Sequence, residues 1–143
     1  MSNKTGRISL DTADDSSYIS VHVDQHCEFK TIRAVTIDSL LSELNAERID
    51  ILKMDIEGCE YHALEGMKKI LSDPARRPRL IMIELYSDHL KRYGNSIGQI
   101  CDYLDSFNYR PAILDNQGKL IPFEPHHYDR FYNVFFTEEG KAV

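Results

Sequence analysis

The stretch that decides how this chain folds is Ile49-Asp-Ile-Leu-Lys-Met-Asp-Ile-Glu-Gly-Cys-Glu60. Its apolar first half predicts a strand, Gly58 marks a sharp turn, and a helix is expected to begin at Cys59 or Glu60. The strand therefore delivers Asp55 and Glu57 to the mouth of a strand-to-helix turn. Carboxylates at such a turn are a common way to build a site in an open α/β sheet.

The segments around this stretch alternate between helical and extended patterns. The predicted elements are a helix after the N-cap Thr36, a helix at 60–71, a strand at 79–85, a helix at 96–107, a strand at 110–114 and an aromatic strand at 131–137. Alternation of this kind predicts βαβ units and a parallel sheet with packed helices. The apolar run at 79–85 is continuous, which predicts cover on both faces of the sheet. The last strand follows a long loop without a helix, so we expect it to run antiparallel.

The N-terminal region has a different pattern. Residues 7–11, 18–24 and 28–35 alternate or favour strands, which predicts an antiparallel patch. A chain of 143 residues is long enough for one domain and short for two. We therefore expect a single domain over 1–143, with 1–35 forming antiparallel strands or a flexible segment and 36–143 forming the α/β portion.

Composition excludes several classes of function. Apolar residues make up 42% and charged residues 28%, which is an ordinary globular balance, and the net charge of −6 leaves no broad basic surface for nucleic acid. No window approaches the roughly 20 apolar residues of a membrane span. The three cysteines form no Cys-x-x-Cys pair, so neither a zinc knuckle nor a disulfide framework is indicated. A reducing cytoplasm fits this cysteine usage best.

Two carboxylates are the strongest candidates for chemistry. Asp55 closes one predicted strand and Glu84 nearly closes the next. Because neighbouring strands of a βαβ unit end at the same edge, about 4.8 Å apart, both side chains can face one pocket. Such a pair can act as a general base, hold a divalent cation or accept hydrogen bonds from a ligand. The alternative for Glu84 is an orientation into solvent or a role in tying down a loop.

Other polar residues near the turn have both structural and functional interpretations. Lys53 lies in mid-strand, where we favour a salt bridge to Asp55 over a direct role in the site, since residues two apart share a face. Glu60 can satisfy free backbone N–H groups at a helix start. Gly58 can serve a sharp turn or the close approach of a ligand. Tyr86 and His89 are candidates for lining the pocket.

Histidines elsewhere are weaker candidates. His126 and His127 lie in the loop before the last strand, where a histidine can shuttle protons, although a plain surface loop is the simpler interpretation. Metal ligation by His22, Asp24, His26 and Cys27 is conceivable. We favour instead a position of these residues on the solvent-exposed face of a strand, because the two-residue period of a strand places alternate side chains on one face. No metal site is expected.

The motifs together resemble the FkbM-type methyltransferases, which are S-adenosylmethionine-dependent enzymes of the Rossmann-like class. The similarity runs through Thr36-Ile-Asp-Ser-Leu40, the 49–60 stretch, Ala63-Leu-Glu-Gly66 and Pro78-Arg-Leu-Ile-Met-Ile-Glu84, and it covers about the last hundred residues well. The residues that match the family's pattern one by one are Lys53, Asp55, Glu57, Gly58, Glu60, Gly66 and Glu84.

This resemblance implies a fold, an activity and a set of site residues. The fold is a truncated Rossmann-like methyltransferase sheet, α/β and mainly parallel with an antiparallel last strand. The activity is methyl transfer from S-adenosylmethionine to a hydroxyl of a small molecule or sugar. Asp55 is implied nearest the methyl group and acceptor, as base or orienter, with Glu57 and Glu84 on the acceptor side. The remaining expected contacts are Lys53, Asp55 and Gly58 for the cofactor, and Glu60, Tyr86, His89 and His126 for the acceptor.

One departure from the family is large. The glycine-rich cofactor turn of the class, of the type Asp-x-Gly-x-Asn-x-Gly, has no counterpart among the seven glycines of this chain. We therefore expect the cofactor-binding N-terminal half to be missing, and the strand at 49–55 to become an exposed edge. Such an edge predicts self-association, pairing with a separately encoded N-terminal half, or occupation by residues 7–35.

Two alternatives to an active methyltransferase follow from the same residues. The chain can be a non-catalytic, truncated methyltransferase-like module that needs a partner chain or has lost cofactor binding. It can also be a sugar-processing or metal-dependent hydrolase that uses Asp55 and Glu84.

Overall fold

A computed structural model of the chain describes residues 6–11, 29–128 and 130–138. The strands are β1 (Gly6–Asp11), β2 (Phe29–Ala34), β3 (Ile51–Met54), β4 (Leu80–Leu85), β5 (Tyr109–Leu114), β6 (Leu120–Pro122) and β7 (Tyr132–Glu138). The helices are α1 (Ile37–Glu43), α2 (Glu60–Glu65), α3 (Lys68–Leu71), α4 (Ser87–Arg92) and α5 (Ile97–Asp105), and a short 3-10 helix spans Pro125–His127.

The first two strands form a sheet of their own. β1 and β2 pair antiparallel, with Gly6 opposite Ala34 and Asp11 opposite Phe29. The expected antiparallel patch is confirmed for these two strands. The third expected strand, at 18–24, and the candidate ligands His22, Asp24, His26 and Cys27 lie outside the described residues.

The five other strands form one open sheet in the order β3-β4-β7-β5-β6. β3 and β4 are the only parallel neighbours among the described strands, and β7 lies between β4 and β5, antiparallel to both. The antiparallel last strand is therefore confirmed. The expectation of a mainly parallel sheet is wrong, because most neighbouring strands in it are antiparallel. β4 and β5 do point the same way, but β7 lies between them and pairs antiparallel with both.

The helices cover one face of this sheet. Ile81, Ile83 and Leu85 of β4 are fully buried on that face, together with Val134 and Phe136 of β7. The alternate residues of β4 are only half-buried, so the second face is partly open within the described residues. The expectation that both faces of this strand are covered is wrong here, and the continuous apolar run therefore places apolar side chains on an accessible surface.

The helix ends follow from identifiable side chains. The Thr36 side chain accepts the Ser39 N–H at 3.0 Å, which confirms the expected start of α1. The helix expected at 60–71 is instead broken into α2 and α3. The Asp38 carboxylate accepts the N–H groups of Lys69 at 2.9 Å and Ile70 at 3.1 Å, which starts a new helix there. The expected single helix is wrong because a side chain from α1 caps it midway.

A buried ion pair joins the far end of the sheet to the β4 side of the domain. Arg77 pairs with Glu138 at the end of β7, and both side chains are largely buried. The Arg77 guanidinium also donates to the Phe107 carbonyl at 2.7 Å. These contacts tie three separate segments together at the edge opposite the strand-end carboxylates.

The outer edge of β3 has no partner among the described strands. Its residue Ile51 is 62% exposed, and β1 and β2 pair with each other rather than with β3. Occupation of this edge is therefore not seen for the described parts of residues 7–35.

Cys59 and Cys101 are free and buried. Within the described parts of the chain, no helix combines the length and the hydrophobicity needed to cross a bilayer.

Candidate functional site

The two candidate carboxylates lie side by side at the carboxyl edge of the parallel pair. Met54, the last residue of β3, is paired with Ile83 of β4, so Asp55 and Glu84 are the next residues on the two strands. Glu84 is also paired with Asn133 of β7. A hydrogen bond joins the two carboxyl groups. The juxtaposition expected from the βαβ rule is confirmed.

Each carboxyl changes the protonation of the other. The hydrogen bond with Asp55 is the main reason that the pKa of Glu84 rises to about 7, with burial and the nearby negative charge adding to it. The same hydrogen bond, and then Lys53, lower the pKa of Asp55. The two carboxyls therefore titrate as one coupled pair, in which Asp55 favours the ionised form and Glu84 the protonated form.

Lys53 forms the salt bridge expected from its position. Its Nζ lies 3.0 Å from Oδ2 of Asp55, and both side chains are about half exposed to solvent. An exposed pair of this kind contributes little to stability. Its local effect is to hold Asp55 in the ionised form.

The turn after β3 depends on contacts with α4. Glu57 and Gly58 both have positive φ, of 55° and 105°. A Cβ atom on Gly58 would lie 2.4 Å from the carbonyl oxygen of His89. Glycine is thus required by the packing of the turn against the protein's own helix. The sharp-turn interpretation is confirmed, and the observed close approach is to α4.

Glu60 stabilises this turn through hydrogen bonds with its backbone. Its carboxylate accepts the N–H groups of Gly58 at 3.1 Å and Ile56 at 3.3 Å, and the residue is only 2% exposed. Burial raises its pKa, while these hydrogen bonds oppose the rise. The geometry therefore gives Glu60 the structural role of satisfying backbone donors, and its expected contact with the methyl acceptor stays a prediction.

A small cavity of about 90 Å³ lies beside the carboxyl pair, between the turn and α4. It is lined by Glu57, Gly58, Glu60, Glu84, Tyr86, His89 and Phe131. His89 Nδ1 lies 2.6 Å from Glu57 Oε2, and the ring of Tyr86 meets the His89 ring edge-on at 4.7 Å between centroids. Tyr86 and His89 thus line the pocket as expected.

A wider groove of about 550 Å³ runs over the open face of the sheet. It is lined by Lys53, Met82, Glu84, Ile113, Leu114, Tyr132, Asn133 and Phe135. Glu84 lines this groove as well as the small cavity, whereas Asp55 lines neither of the two. A larger groove between α1 and α3 contains none of the strand-end carboxylates, and its Asp38 already caps α3.

One expected site residue lies apart from the others. His126 is on the 3-10 helix, with a side chain that is 69% exposed and 3.5 Å from Glu124. It lines neither the small cavity nor the sheet-face groove. The structure therefore does not bring His126 to the site, because the loop turns its ring toward Glu124 and His127.

Sequence reasoning missed two parts of the site. Phe131 closes one side of the small cavity, and Met82 and Phe135 form the apolar floor of the groove. The signal for Phe131 was present, because an antiparallel last strand must begin at the edge where β4 ends. No group of three or more His, Cys, Asp or Glu side chains within the described ranges is arranged to hold a metal ion.

Comparison with known families adds one finding. Residues 2–111 match the family model described as the methyltransferase FkbM domain. The match includes β1, β2, the 49–60 stretch and Glu84, so it begins well before the region in which single residues carried the resemblance. It ends within β5, and β6, β7 and Phe131 lie beyond it. No curated protein and no solved structure matches the chain significantly.

Proposed function

Because this chain belongs to the FkbM methyltransferase domain family, we propose that it transfers a methyl group from S-adenosylmethionine to a hydroxyl group of a small molecule or sugar. The observation that carries the proposal is the hydrogen-bonded carboxyl pair, Asp55 and Glu84, at the carboxyl edge of β3 and β4. Open α/β sheets bind their ligands at this edge.

Methyl transfer to a hydroxyl requires little from the protein beyond alignment of the two reactants and removal of the hydroxyl proton. A hydroxyl becomes a good nucleophile when a positioned group accepts its proton, and a group with a pKa near the working pH does this best. The carboxyl pair meets this condition, since the pKa of Glu84 is about 7. Tyr86 and Phe131 border the same cavity and supply apolar surface that excludes water.

The residues present fit only the charged end of the cofactor. S-adenosylmethionine would supply an electrophilic methyl group on a positively charged sulfur, and Asp55 and Glu57 are carboxylates suited to that charge. The small cavity of about 90 Å³ is too small for a nucleoside, since ligand pockets usually measure about 300–1,000 Å³. Gly58 donates its N–H to Glu60, and Lys53 is paired with Asp55, so neither offers a free contact of the expected kind.

The outer edge of β3, which pairs with none of the described strands, supports a role for a second polypeptide. A strand edge with unpaired backbone groups readily adds another strand. Another copy of this chain, or a separate N-terminal half with a glycine-rich turn, completes the sheet there and supplies the nucleoside site. Sedimentation of the purified chain tests this, since association makes the mass depend on protein concentration. A monomer at all concentrations would contradict self-association.

The cellular setting is part of the same proposal. Cys59 and Cys101 are free thiols, which suits a reducing cytoplasm. The acceptor is a small molecule rather than a nucleic acid, because the net charge of −6 opposes binding to a phosphate backbone.

The decisive experiment combines binding and transfer. S-adenosylmethionine carrying a labelled methyl group is titrated into the purified chain by calorimetry, and the mixture is then incubated with a panel of sugars and phenols. We expect binding heat and a labelled product, with transfer lost when both carboxyls are replaced (Asp55→Asn with Glu84→Gln) and retained in the exposed control Asp102→Asn. Absence of heat and product at millimolar cofactor would contradict methyl transfer by this chain alone and leave the non-catalytic module that needs a partner chain or has lost cofactor binding.

A further inference from the structure

Given the proposed methyl transfer, on which the assignment rests, we infer that Glu84 is the residue that takes the proton from the acceptor hydroxyl, and that Asp55 is a positioning residue that acts through Glu84. In this step the O–H bond of the acceptor breaks and its electron pair stays on the acceptor oxygen. The proton forms a new O–H bond on the Glu84 carboxylate, which later returns it to water. Sequence position alone favours Asp55 for this task, since it is the carboxylate of the motif.

Access separates the two carboxyls. Glu84 lines both the small cavity and the sheet-face groove, so it stands where those two spaces meet. The Asp55 side chain is 43% exposed, but it lines neither of these two spaces, and its Oδ2 is held by Lys53 at 3.0 Å. A reactant lying in either space is therefore bordered by Glu84 rather than by Asp55.

Backbone support separates them as well. Glu84 lies within β4, which is paired with β3 on one side and β7 on the other, and its neighbours Ile83 and Leu85 are fully buried. Asp55 follows the last residue of β3, which has β4 as its one neighbour among the strands that the structure describes. Groups on rigid elements hold a productive geometry better than groups on loops, which favours Glu84 as the residue that meets the substrate.

The charges around Glu84 suit a group that exchanges a proton near neutrality. Asp55 and Lys53 face it from β3, Glu57 from the turn and His89 from α4 across the small cavity, while Asn133 on β7 is neutral. The Glu57 carboxylate is itself in contact with His89, whose Nδ1 lies 2.6 Å from its Oε2. Asp55 therefore dominates, and it raises the pKa of Glu84 to about 7. Asp55 itself stays ionised and accepts the hydrogen bond from the protonated form of Glu84.

A titration of the labelled protein tests where the proton lies. The side-chain carboxyl resonance of Glu84 in ¹³C-labelled chain is followed against pH and identified by its loss in Glu84→Gln. We expect a midpoint near pH 7 that falls by more than one unit toward the ordinary value of 4.5 in Asp55→Asn. The matched control Asp102→Asn should leave it in place. A midpoint near 4.5 in the wild type, or one that Asp55→Asn does not move, would overturn the assignment.

The rate of transfer against pH tests the division of roles. With an acceptor found in the labelled-methyl screen, Glu84→Gln should lose about 100-fold to 10,000-fold in rate. Asp55→Asn should instead move the rising limb of the profile to lower pH, and Glu84→Asp should recover part of the rate. An unchanged rate in Glu84→Gln, or an unmoved limb in Asp55→Asn, would refute these roles. If the wild type shows no transfer, the proposed function fails, and the titration still decides which carboxyl carries the proton.

Discussion

Replacement of Gly58 by alanine tests whether the turn after β3 is held by its contact with α4. The added Cβ atom would lie 2.4 Å from the carbonyl oxygen and 2.7 Å from the carbonyl carbon of His89. Both are backbone atoms, so they cannot rotate away. The backbone at Gly58 also has φ of 105°, which an L-residue other than glycine adopts only with strain.

The expected loss of stability combines two costs. Strained backbone at a residue with a side chain costs about 1–3 kcal/mol. Overpacking that forces backbone shifts adds a cost of about 1–3 kcal/mol. We therefore expect Gly58→Ala to lower the free energy of unfolding by about 2–6 kcal/mol, with the sum set by how far α4 can move.

Gly94 provides a matched control for the steric part. It also has positive φ, of 73°, but a Cβ atom there would have no neighbour within 4 Å. Gly94→Ala should therefore show the backbone cost alone, about 1–2 kcal/mol. Urea unfolding followed by far-ultraviolet circular dichroism measures both variants. If Gly58→Ala loses no more stability than Gly94→Ala, the contact with His89 does not hold the turn.

Three further predictions concern ionisable groups. Arg77→Met should lower the free energy of unfolding by about 3–5 kcal/mol in urea, because the buried Glu138 carboxylate would lose its ion pair with Arg77; a loss below about 1 kcal/mol would show that the pair is not needed. Asp38→Ala removes the acceptor of two N–H groups of α3 and should cost about 1 kcal/mol in thermal unfolding, while an unchanged melting temperature would contradict the cap. The raised pKa of Glu84 means that the folded state binds this proton more tightly than the unfolded state, so its stabilisation is complete below pH 4.5 and is lost as the pH rises to about 7. Relative to Glu84→Gln, the wild type should lose about 1–3 kcal/mol over that range after allowance for solvent screening, and parallel pH profiles of the two proteins would refute the shift.

The parts of the fold that depend on neighbouring residues could be predicted from the sequence. The Thr36 cap and the helical stripe after it are local, and both are observed. The salt bridge of Lys53 with Asp55 follows from the two-residue period of a strand. The meeting of Asp55 and Glu84 needs only the handedness rule for parallel strands in addition.

The parts that depend on distant residues could not be predicted in this way. The break between α2 and α3 is set by Asp38, which lies about thirty positions earlier in the chain. The insertion of β7 between β4 and β5 is a choice among topologies that each strand pattern alone permits. The need for glycine at position 58 comes from His89, which no spacing rule places against the turn.

Within the site, two predicted contacts remain predictions, and in both cases the side chain already has a partner in the protein. Glu60 belongs to the motif, yet its carboxylate is taken up by the N–H groups of Ile56 and Gly58. His126 lies in a loop before the last strand, and the loop directs it to Glu124. A motif position or a loop position indicates proximity to an edge, and only the hydrogen-bond partners decide what remains available for a ligand.

The entry point of β7 has a practical consequence for changing acceptor preference. β7 begins beside the end of β4, so the connection from β6 to β7 delivers Phe131 to the wall of the small cavity. Phe131 is 53% exposed and lies outside the buried core, whereas Phe123 in the same connection is 4% exposed and packs in it. Libraries randomised at Phe131 alone can therefore remodel the cavity wall without removing a core side chain, which makes this residue the natural starting place for directed evolution.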